Sequence, residues 1–159
     1  MTGSGVSIHP ARADEGPLLS EIAVRSKSHW PYDDAFLEGA RRELTIDAET
    51  IRSSGVFVLE QDGRVLGFHG LVGEPPKGRL EWVFLEPDAI GQGFGRLLWN
   101  DALERARAAG FAELEIESDR FAEPFYLAMG ATRIGATRSP VDGADLPLLR
   151  IEVAGGLAE

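Results

Sequence analysis

The residues with the clearest chemical potential form a glycine-rich turn, in which Gly91, Gly93 and Gly95 stand at every second position. An apolar run at residues 80–85 precedes the turn, and a helical pattern begins near Arg96. Glycine can adopt positive φ and lets backbone amides approach a ligand closely, while the first turn of a helix adds unpaired N–H groups and a partial positive charge. This combination of strand, turn and helix is suited to binding an anion such as a phosphate group.

Two common phosphate-binding motifs do not match this turn. A Walker loop requires Lys followed by Ser or Thr after its last glycine, whereas Gly95 is followed by Arg96 and Leu97. The dinucleotide fingerprint G-x-G-x-x-G requires a third glycine where this sequence has Arg96. The turn therefore predicts an anion site of another class, and a structural turn that binds nothing is the alternative.

Length and composition describe a single acidic domain without cysteine. The 159 residues are predicted to form one domain, residues 1–159, with a core at about 8–153. The absence of Cys excludes disulfides, thiolate metal sites and a Cys nucleophile and favours a reducing compartment, and we expect no bound metal. Because no signal-like start or membrane-spanning stretch is present, we expect a cytoplasmic protein that does not bind membranes. The formal net charge of -10 argues against nucleic-acid binding and favours the approach of a cationic partner.

The strand that enters the glycine turn is predicted to belong to a crossover unit. Residues 80–85 and 114–118 are both strand-like, and a helix that Gly110 ends separates them, so the two strands should be parallel neighbours joined by a right-handed connection. Strict alternation predicts that the first of these strands presents Leu80, Trp82 and Phe84 on one face and Glu81, Val83 and Leu85 on the other.

The other elements complete an α/β domain. In chain order we expect a strand at 6–12, a helix capped by Asp14, a polar and aromatic loop at 25–32, a helix capped by Asp33 or Asp34, a helical turn at 45–54, strands at 56–60 and 65–72 joined by Asp62-Gly63, a short helix at 123–130, and strands at 131–138 and 146–153. The expected architecture is a mixed, mostly antiparallel sheet of about seven strands with helices on both faces.

The glycine spacing resembles the signature of the GNAT superfamily of acetyl-CoA-dependent N-acetyltransferases. In that signature Gln or Arg, two variable residues, Gly, one variable residue and Gly or Ala bind the coenzyme pyrophosphate. Gly93 and Gly95 occupy the two glycine positions, while Ile90 replaces Gln or Arg. Because the family binds pyrophosphate largely through main-chain amides, we expect this departure to weaken coenzyme binding without abolishing it.

A second motif about thirty residues later is similar to another segment of the same family. Phe125-Tyr126 with Gly130 matches a Phe-Tyr pair that precedes a Gly closing a short helix. Asp119 matches the usual Asp after the fifth strand, and Phe121 replaces the Asn that commonly contacts the coenzyme. Two partial motifs in the right order make a chance resemblance improbable, and the resemblance extends over nearly the whole chain.

The resemblance implies a GNAT-like fold and direct attack of a primary amine on the thioester of acetyl-CoA, with no covalent enzyme intermediate. It also implies two groups of coenzyme-binding residues. The pantetheine arm and thioester carbonyl are expected at the main chain of Val83, Phe84 and Leu85, and the pyrophosphate at Gly91, Gln92, Gly93, Phe94, Gly95 and Arg96.

The same resemblance suggests which residues transfer protons. Tyr126 is the candidate acid for the thiolate leaving group, because an ordinary phenol has a pKa of about 10 and is protonated at neutral pH. Glu81 is the leading candidate base, with Glu117, His69 or water as alternatives, and no protein base is needed if the amine arrives neutral. A buried, packed Tyr and a solvated Glu are the corresponding structural alternatives.

The acceptor and the assembly are less constrained. His29, Trp30 and Tyr32 form a loop that suits substrate binding, although its aromatic residues could instead anchor the loop on the core. The acidic charge favours a small cationic amine, and the apolar strand at 146–153 suggests a homodimer formed by sheet or edge contact. The alternatives are a coenzyme-binding GNAT-like module without turnover, with a regulatory or partner-binding role, and, more distantly, a different anion-binding α/β protein such as a nucleotide binder.

Overall fold

A single mixed sheet organises the computed structural model, which describes residues 5–153. The predicted domain limits of 1–159 therefore include residues 1–4 and 154–159, which lie outside the described part. The strands are β1 (Val6–Pro10), β2 (Gly55–Gln61), β3 (Arg64–Glu74), β4 (Lys77–Leu85), β5 (Glu113–Glu117), β6 (Thr132–Arg138) and β7 (Asp145–Glu152), in the spatial order β1-β2-β3-β4-β5-β7-β6. Only β4 and β5 pair in parallel, which confirms the predicted mixed, mostly antiparallel sheet.

Helices cover both faces of this sheet, as predicted. They are α1 (Gly16–Ser28), α2 (Asp34–Glu43), α3 (Ala48–Ser53), α4 (Phe94–Ala108) and α5 (Glu123–Ala128). On one face α1 and α3 share an apolar core with β2 and β3, and α2 packs against α1. On the other face α4 and α5 share a core with β5 and β7. Within residues 5–153 no helix has the length and apolar character needed to cross a membrane.

The start of α1 differs from the prediction. Asp14 does not cap the helix, which begins at Gly16 with Glu15 in the N-cap position. The carboxylate of Glu15 accepts a hydrogen bond of 2.8 Å from the backbone N–H of Arg12, and this contact closes a short 3₁₀ turn ahead of the helix. The predicted cap was wrong because the next carboxylate along the chain takes the local backbone donor.

The C-terminal end of α1 lies later than expected, and β1 is shorter. The helix continues through Ser28, so residues 25–28 are helical and the connecting loop begins at His29. β1 ends at Pro10, although the N–H of Ala11 still donates to the carbonyl of Val56 on β2 at 2.9 Å. The predicted cap of α2 is confirmed, since the Asp33 carboxylate accepts from the N–H of Phe36 at 2.8 Å.

The hairpin between β2 and β3 has the turn that its dipeptide predicts. Asp62 and Gly63 both have positive φ, 51° and 86°. Two successive positive φ angles define the primed turn that matches the twist of an antiparallel pair. This hairpin leads directly to β4, the strand that enters the glycine turn.

Strand β4 contains a β-bulge at Glu81, and this bulge overturns the predicted alternation. Two consecutive residues of β3 pair with Leu80 and Trp82, which leaves Glu81 as the extra residue. Leu80 and Val83 therefore pack on the α4 side of the sheet, whereas Trp82 and Phe84 pack on the α1 side. A bulge shifts the side-chain alternation by one residue, so Glu81 does not share a face with Val83 as the simple pattern required.

The parallel pair opens into a gap. Pairing between β4 and β5 is limited to Lys77–Arg79 against Glu113–Glu115, although β4 continues to Leu85. Beyond Arg79 the two strands are no longer paired, and the C-terminal half of β4 borders an opening in the sheet. We call this opening the strand gap.

Strand β7 is an inner strand, contrary to the reasoning behind the predicted dimer. It pairs with β5 on one side and with β6 on the other, so residues 146–153 offer no free edge to a second copy. The exposed edge at this end of the sheet is β6. The edge contact proposed for the last strand therefore does not follow from this topology.

Candidate active site

The glycine turn presents unused backbone amides to solvent. Gly91 and Gly93 have φ of 86° and 90°, and a Cβ added to either would meet no heavy atom within 4 Å. The first backbone bond at the start of α4 is donated by Leu97 to Gly93 at 3.3 Å. Among the described residues, the N–H groups of residues 91–95 have no backbone acceptor. An open turn with this set of donors at a helix N-terminus can bind an anion.

The glycine turn and the Phe-Tyr motif pack against each other. A Cβ on Gly95 would lie 3.1 Å from Cε1 of Phe125, so the missing side chain lets the ring approach the first turn of α4. The ring of Tyr126 lies 6.0 Å from that of Trp99, one turn further along α4. The two motifs that carry the sequence resemblance therefore form one site.

Tyr126 is buried and uncharged at neutral pH. Only 7% of the residue is exposed, and it belongs to the core cluster shared by α4, α5 and β5. Burial raises the pKa of Tyr126, and the negative charge of Asp119 raises it further. A protonated phenol can donate a proton or a hydrogen bond but is poorly suited to act as a base.

The three predicted pantetheine contacts on β4 do not all direct their main-chain groups to the same side of the strand. The N–H of Glu86 donates to the carbonyl of Leu66 on β3 at 2.7 Å. Because hydrogen-bonded positions alternate along an antiparallel pair, Phe84 also directs its main-chain groups toward β3. Val83 and Leu85 direct theirs to the other side, toward the strand gap. These two residues can offer main-chain groups to a ligand in the gap, whereas Phe84 uses its own within the sheet.

Two residues of α1 hold the end of β4 in place, and no local pattern in the sequence indicates them. Arg25 binds Glu86 through two hydrogen bonds of 2.9 and 2.7 Å, and Glu86 is only 7% exposed. The hydroxyl of Ser26 accepts a long hydrogen bond of 3.4 Å from the N–H of Leu85. These contacts fix the strand immediately before the chain enters the glycine turn.

Glu81 lies on the opposite face of the sheet from Tyr126. Its carboxylate is 3.9 Å from the guanidinium of Arg79, and 38% of its side chain is exposed. The surrounding protein still removes enough water to raise the pKa of Glu81; Arg79 opposes this rise and Glu117 adds to it. Glu117 itself accepts a 2.5 Å hydrogen bond from the Thr137 hydroxyl. A carboxylate with a raised pKa is a better proton acceptor than an ordinary Glu.

His69 is excluded as a base that contacts the acceptor. Its side chain is fully buried, and Nε2 lies 2.8 Å from Oδ2 of Asp101. Asp101 also accepts from Arg105 at 3.0 Å, so the imidazole belongs to a network beneath α4. This network lies on the α4 side of the sheet, away from Glu81.

The loop that carries the predicted substrate-binding residues spans residues 29–33 in the structure and packs against the turn that follows β5. We call it the acceptor loop. Tyr32 donates from its hydroxyl to Asp119 at 2.8 Å, and the ring of Trp30 stacks on that of Phe121 at 5.7 Å. His29 is exposed and touches the Trp30 ring edge-on. Trp30 and Tyr32 thus anchor the loop, while His29 faces solvent.

No group of three or more potential metal ligands is arranged to hold an ion within residues 5–153. An anion-binding turn, free strand edges, a neutral phenol and a carboxylate of raised pKa are grouped around the strand gap. This set can hold a phosphorylated ligand along β4 and assist proton transfer at its end.

Comparison with known sequences identifies two curated relatives and a family model. The model of the acetyltransferase (GNAT) family matches residues 21–131. The peptidyl-lysine N-acetyltransferase YjaB of Salmonella typhimurium is 35% identical over 152 residues, which covers 92% of this chain and 97% of that protein. Mycothiol acetyltransferase of Thermomonospora curvata is 37% identical over 84 residues, covering 50% of this chain and 28% of that longer protein. The chain thus spans nearly all of one relative and less than a third of the other.

Solved structures share the same fold at low sequence identity. A GCN5-related N-acetyltransferase from Rhodopseudomonas palustris superposes with a TM-score of 0.80 at 17% identity, covering 96% of this chain and 98% of that one. PaiA N-acetyltransferase from Thermoplasma acidophilum, solved in complex with coenzyme A, superposes with a TM-score of 0.74 at 20% identity, covering 92% and 98%.

Proposed function

Since the chain belongs to the acetyltransferase (GNAT) family, we propose that it transfers the acetyl group of acetyl-CoA to the primary amine of a small cationic acceptor. The observation that carries this proposal is the open glycine turn packed against the Phe-Tyr motif. The turn supplies backbone donors for a pyrophosphate, and the motif supplies an acid beside the same helix.

Coenzyme binding follows from the main chain. The amides of the glycine turn hold the pyrophosphate, and Arg96 lies at the start of α4 on the same side of the chain. The pantetheine arm then runs along β4, where Val83 offers its N–H and C=O and Leu85 its C=O toward the strand gap, since the N–H of Leu85 already donates to the Ser26 hydroxyl. On this proposal the thioester lies in the gap, within the layer between the two faces of the sheet.

The reaction needs a neutral amine, a polarised carbonyl and a stabilised leaving group. The amine nitrogen attacks the thioester carbon and loses a proton to Glu81, directly or through water. The C–S bond breaks, and the sulfur takes a proton or a hydrogen bond from Tyr126. Raised pKa values suit both roles, since they strengthen Glu81 as an acceptor and keep the phenol of Tyr126 protonated.

The acceptor enters from the face that carries Glu81, because 38% of that side chain is open to solvent. The net charge of -10 attracts a cation to this face. A lysine side chain in a peptide is the second candidate, favoured by the resemblance to YjaB, whose name specifies peptidyl-lysine. Both candidates present a primary amine on a flexible aliphatic chain.

A thiol-release screen with acetyl-CoA tests the proposal. Polyamines, free amino acids and lysine-containing peptides should be compared at equal concentration, and at least one should release coenzyme A faster than the blank. Tyr126→Phe should then lower kcat by about 10²- to 10⁴-fold, the usual contribution of a proton donor, without weakening coenzyme binding measured by calorimetry. Coenzyme binding without thiol release across the panel would instead identify a binding module with no turnover.

A further inference from the structure

Asp119 joins three separate parts of the chain through one carboxylate. Its Oδ2 accepts from Lys27 of α1 at 2.7 Å and from the hydroxyl of Tyr32 at 2.8 Å. Its Oδ1 accepts from the backbone N–H of Phe121 at 2.7 Å. The side chains of Lys27 and Asp119 are only 18% and 11% exposed, so this ion pair is largely shielded from water.

Aromatic contacts cover the same junction. The ring of Phe121 stacks on Trp30 at 5.7 Å and meets Tyr32 edge-on at 5.3 Å. Tyr32 stacks in turn on Phe36 of α2, with ring centroids 3.9 Å apart. The acceptor loop is therefore held between its own helix α2 and the turn that follows β5.

The turn between β6 and β7 closes the third side. Arg120 forms an ion pair with Asp142 at 3.2 Å, and its guanidinium lies 5.3 Å from the centre of the Tyr32 ring. Val141 packs closely on Gly39 of α2, because a Cβ added to Gly39 would lie only 2.8 Å from a methyl carbon of Val141. The acceptor loop is thus enclosed on the side where β5 ends and the strand gap opens.

From these contacts we infer that Asp119 is a positioning residue, which holds the acceptor loop closed over the end of β5 and shapes the amine site. The inference rests on the proposed function, because it assigns the loop to the amine that reacts there. Asp119 also cancels the charge of Lys27, which would otherwise repel a cationic amine approaching Glu81. Loss of the carboxylate therefore opens the loop and leaves an uncompensated cation beside the entrance.

Hydrogen exchange of the coenzyme-free protein measures the closure directly. In Asp119→Asn the hydrogen-bonded amides of the acceptor loop, those of residues 29, 30 and 32, should exchange about ten-fold faster, as expected when a hydrogen bond to a charged group is lost. The control is Glu21→Gln, which removes one negative charge from α1 and breaks the exposed pair with Arg41, 2.6 Å long, without touching the loop. Its exchange should equal that of the wild type. If Asp119→Asn does not fold, Tyr32→Phe removes one of the same hydrogen bonds and should accelerate exchange in the same segment.

Kinetics separate positioning from a purely structural role. With the best amine from the screen, Asp119→Asn should raise the acceptor KM by about ten-fold while coenzyme affinity stays near the wild-type value. Glu21→Gln should leave both unchanged. Unchanged exchange in both loop variants, or faster exchange with an unchanged acceptor KM, would overturn the inference. Because the exchange experiment needs no turnover, it remains decisive for the closure even if the wild-type protein acetylates no amine and the proposed function fails.

Discussion

Replacing Gly93 with Ala should weaken coenzyme binding, and Gly63→Ala provides a control with matched backbone strain. Gly93 has φ of 90° and Gly63 has φ of 86°, and a Cβ at either position would meet no heavy atom within 4 Å. Alanine in this left-handed region costs about 1–2 kcal/mol at each site. Gly63 lies in the hairpin turn between β2 and β3, away from the glycine turn. The difference between the two variants therefore isolates the effect of a methyl group at the coenzyme site.

The expected loss of affinity follows from the hydrogen bonds at the turn. If the methyl group of Gly93→Ala prevents one amide from reaching the pyrophosphate, a hydrogen bond to a charged group is lost, worth about 1.5–3 kcal/mol. Since each 1.4 kcal/mol corresponds to about a factor of ten, the Kd of coenzyme A should rise about ten- to hundred-fold. Gly63→Ala should leave this Kd unchanged.

Calorimetric titration with coenzyme A and thermal unfolding of the free proteins test the two halves of the prediction. The strain should lower Tm in both variants, by about 2–8 °C for a domain of this size. Only Gly93→Ala should lose affinity. Equal Kd values for the two variants at equal Tm would refute the assignment of the glycine turn to the pyrophosphate.

Three further predictions concern the neighbouring residues. Gly95→Ala should displace the Phe125 ring, because the new Cβ would lie 3.1 Å from it. In thermal unfolding its Tm should fall below that of a variant with a Gly→Ala change at the surface. An unchanged Tm would contradict this packing. Because the pKa of Glu81 is raised, the midpoint of the acidic limb in the pH–rate profile should lie above 4.5, the ordinary pKa of Glu. Glu81→Gln should remove this limb. A limb that persists in Glu81→Gln would belong to another group. Burial alone would raise the pKa of Asp101, but hydrogen bonds from its imidazole and guanidinium partners lower it below 3.8. Its stabilising contribution is therefore present above pH 3.8 and lost as the pH falls further, so urea unfolding of Asp101→Asn should depend less on pH below that value than unfolding of the wild type.

Local residue chemistry was sufficient to predict the turns. Asp62-Gly63 has the two positive φ angles that its dipeptide suggests, and the glycine turn has them at Gly91 and Gly93. At these positions the backbone conformation depends on the residues themselves and little on distant contacts. The same reasoning explains why Ile90 need not disturb the site, since the turn offers main-chain amides whatever side chain precedes them.

Contacts between distant residues could not be read in the same way. Residues 25–28 are polar and resembled a loop, yet Arg25 and Lys27 find partners 61 and 92 positions away. These ion pairs stabilise the last turn of α1, which the apolar periodicity alone did not predict to be helical. Phe121 is a similar case, because its ring packs on the acceptor loop, a role that its position in the sequence did not suggest.

The bulge at Glu81 escaped prediction because β4 has apolar residues on both faces. Leu80, Trp82 and Val83 are all suited to a core, so a shift of one residue leaves no polar side chain buried to reveal it. Only the pairing with β3 identifies Glu81 as the extra residue. The consequence for function is large, since the bulge places Val83 on the same side as Leu80 and Tyr126 and leaves the carboxylate of Glu81 on the opposite face.

The two proposed proton-transfer groups lie on opposite faces of the sheet and can act on one thioester only where the sheet is open. If β4 and β5 remained paired beyond Arg79, the main-chain groups of Val83 and Leu85 would bind β5, and a continuous sheet would separate Glu81 from Tyr126. Because pairing stops there, an acyl group lying in the strand gap can receive an amine from the Glu81 side while its sulfur faces the Tyr126 side. The end of pairing at Arg79 and the bulge two residues later thus act together: one opens the sheet, and the other separates the face of Glu81 from that of Val83, which packs on the Tyr126 side.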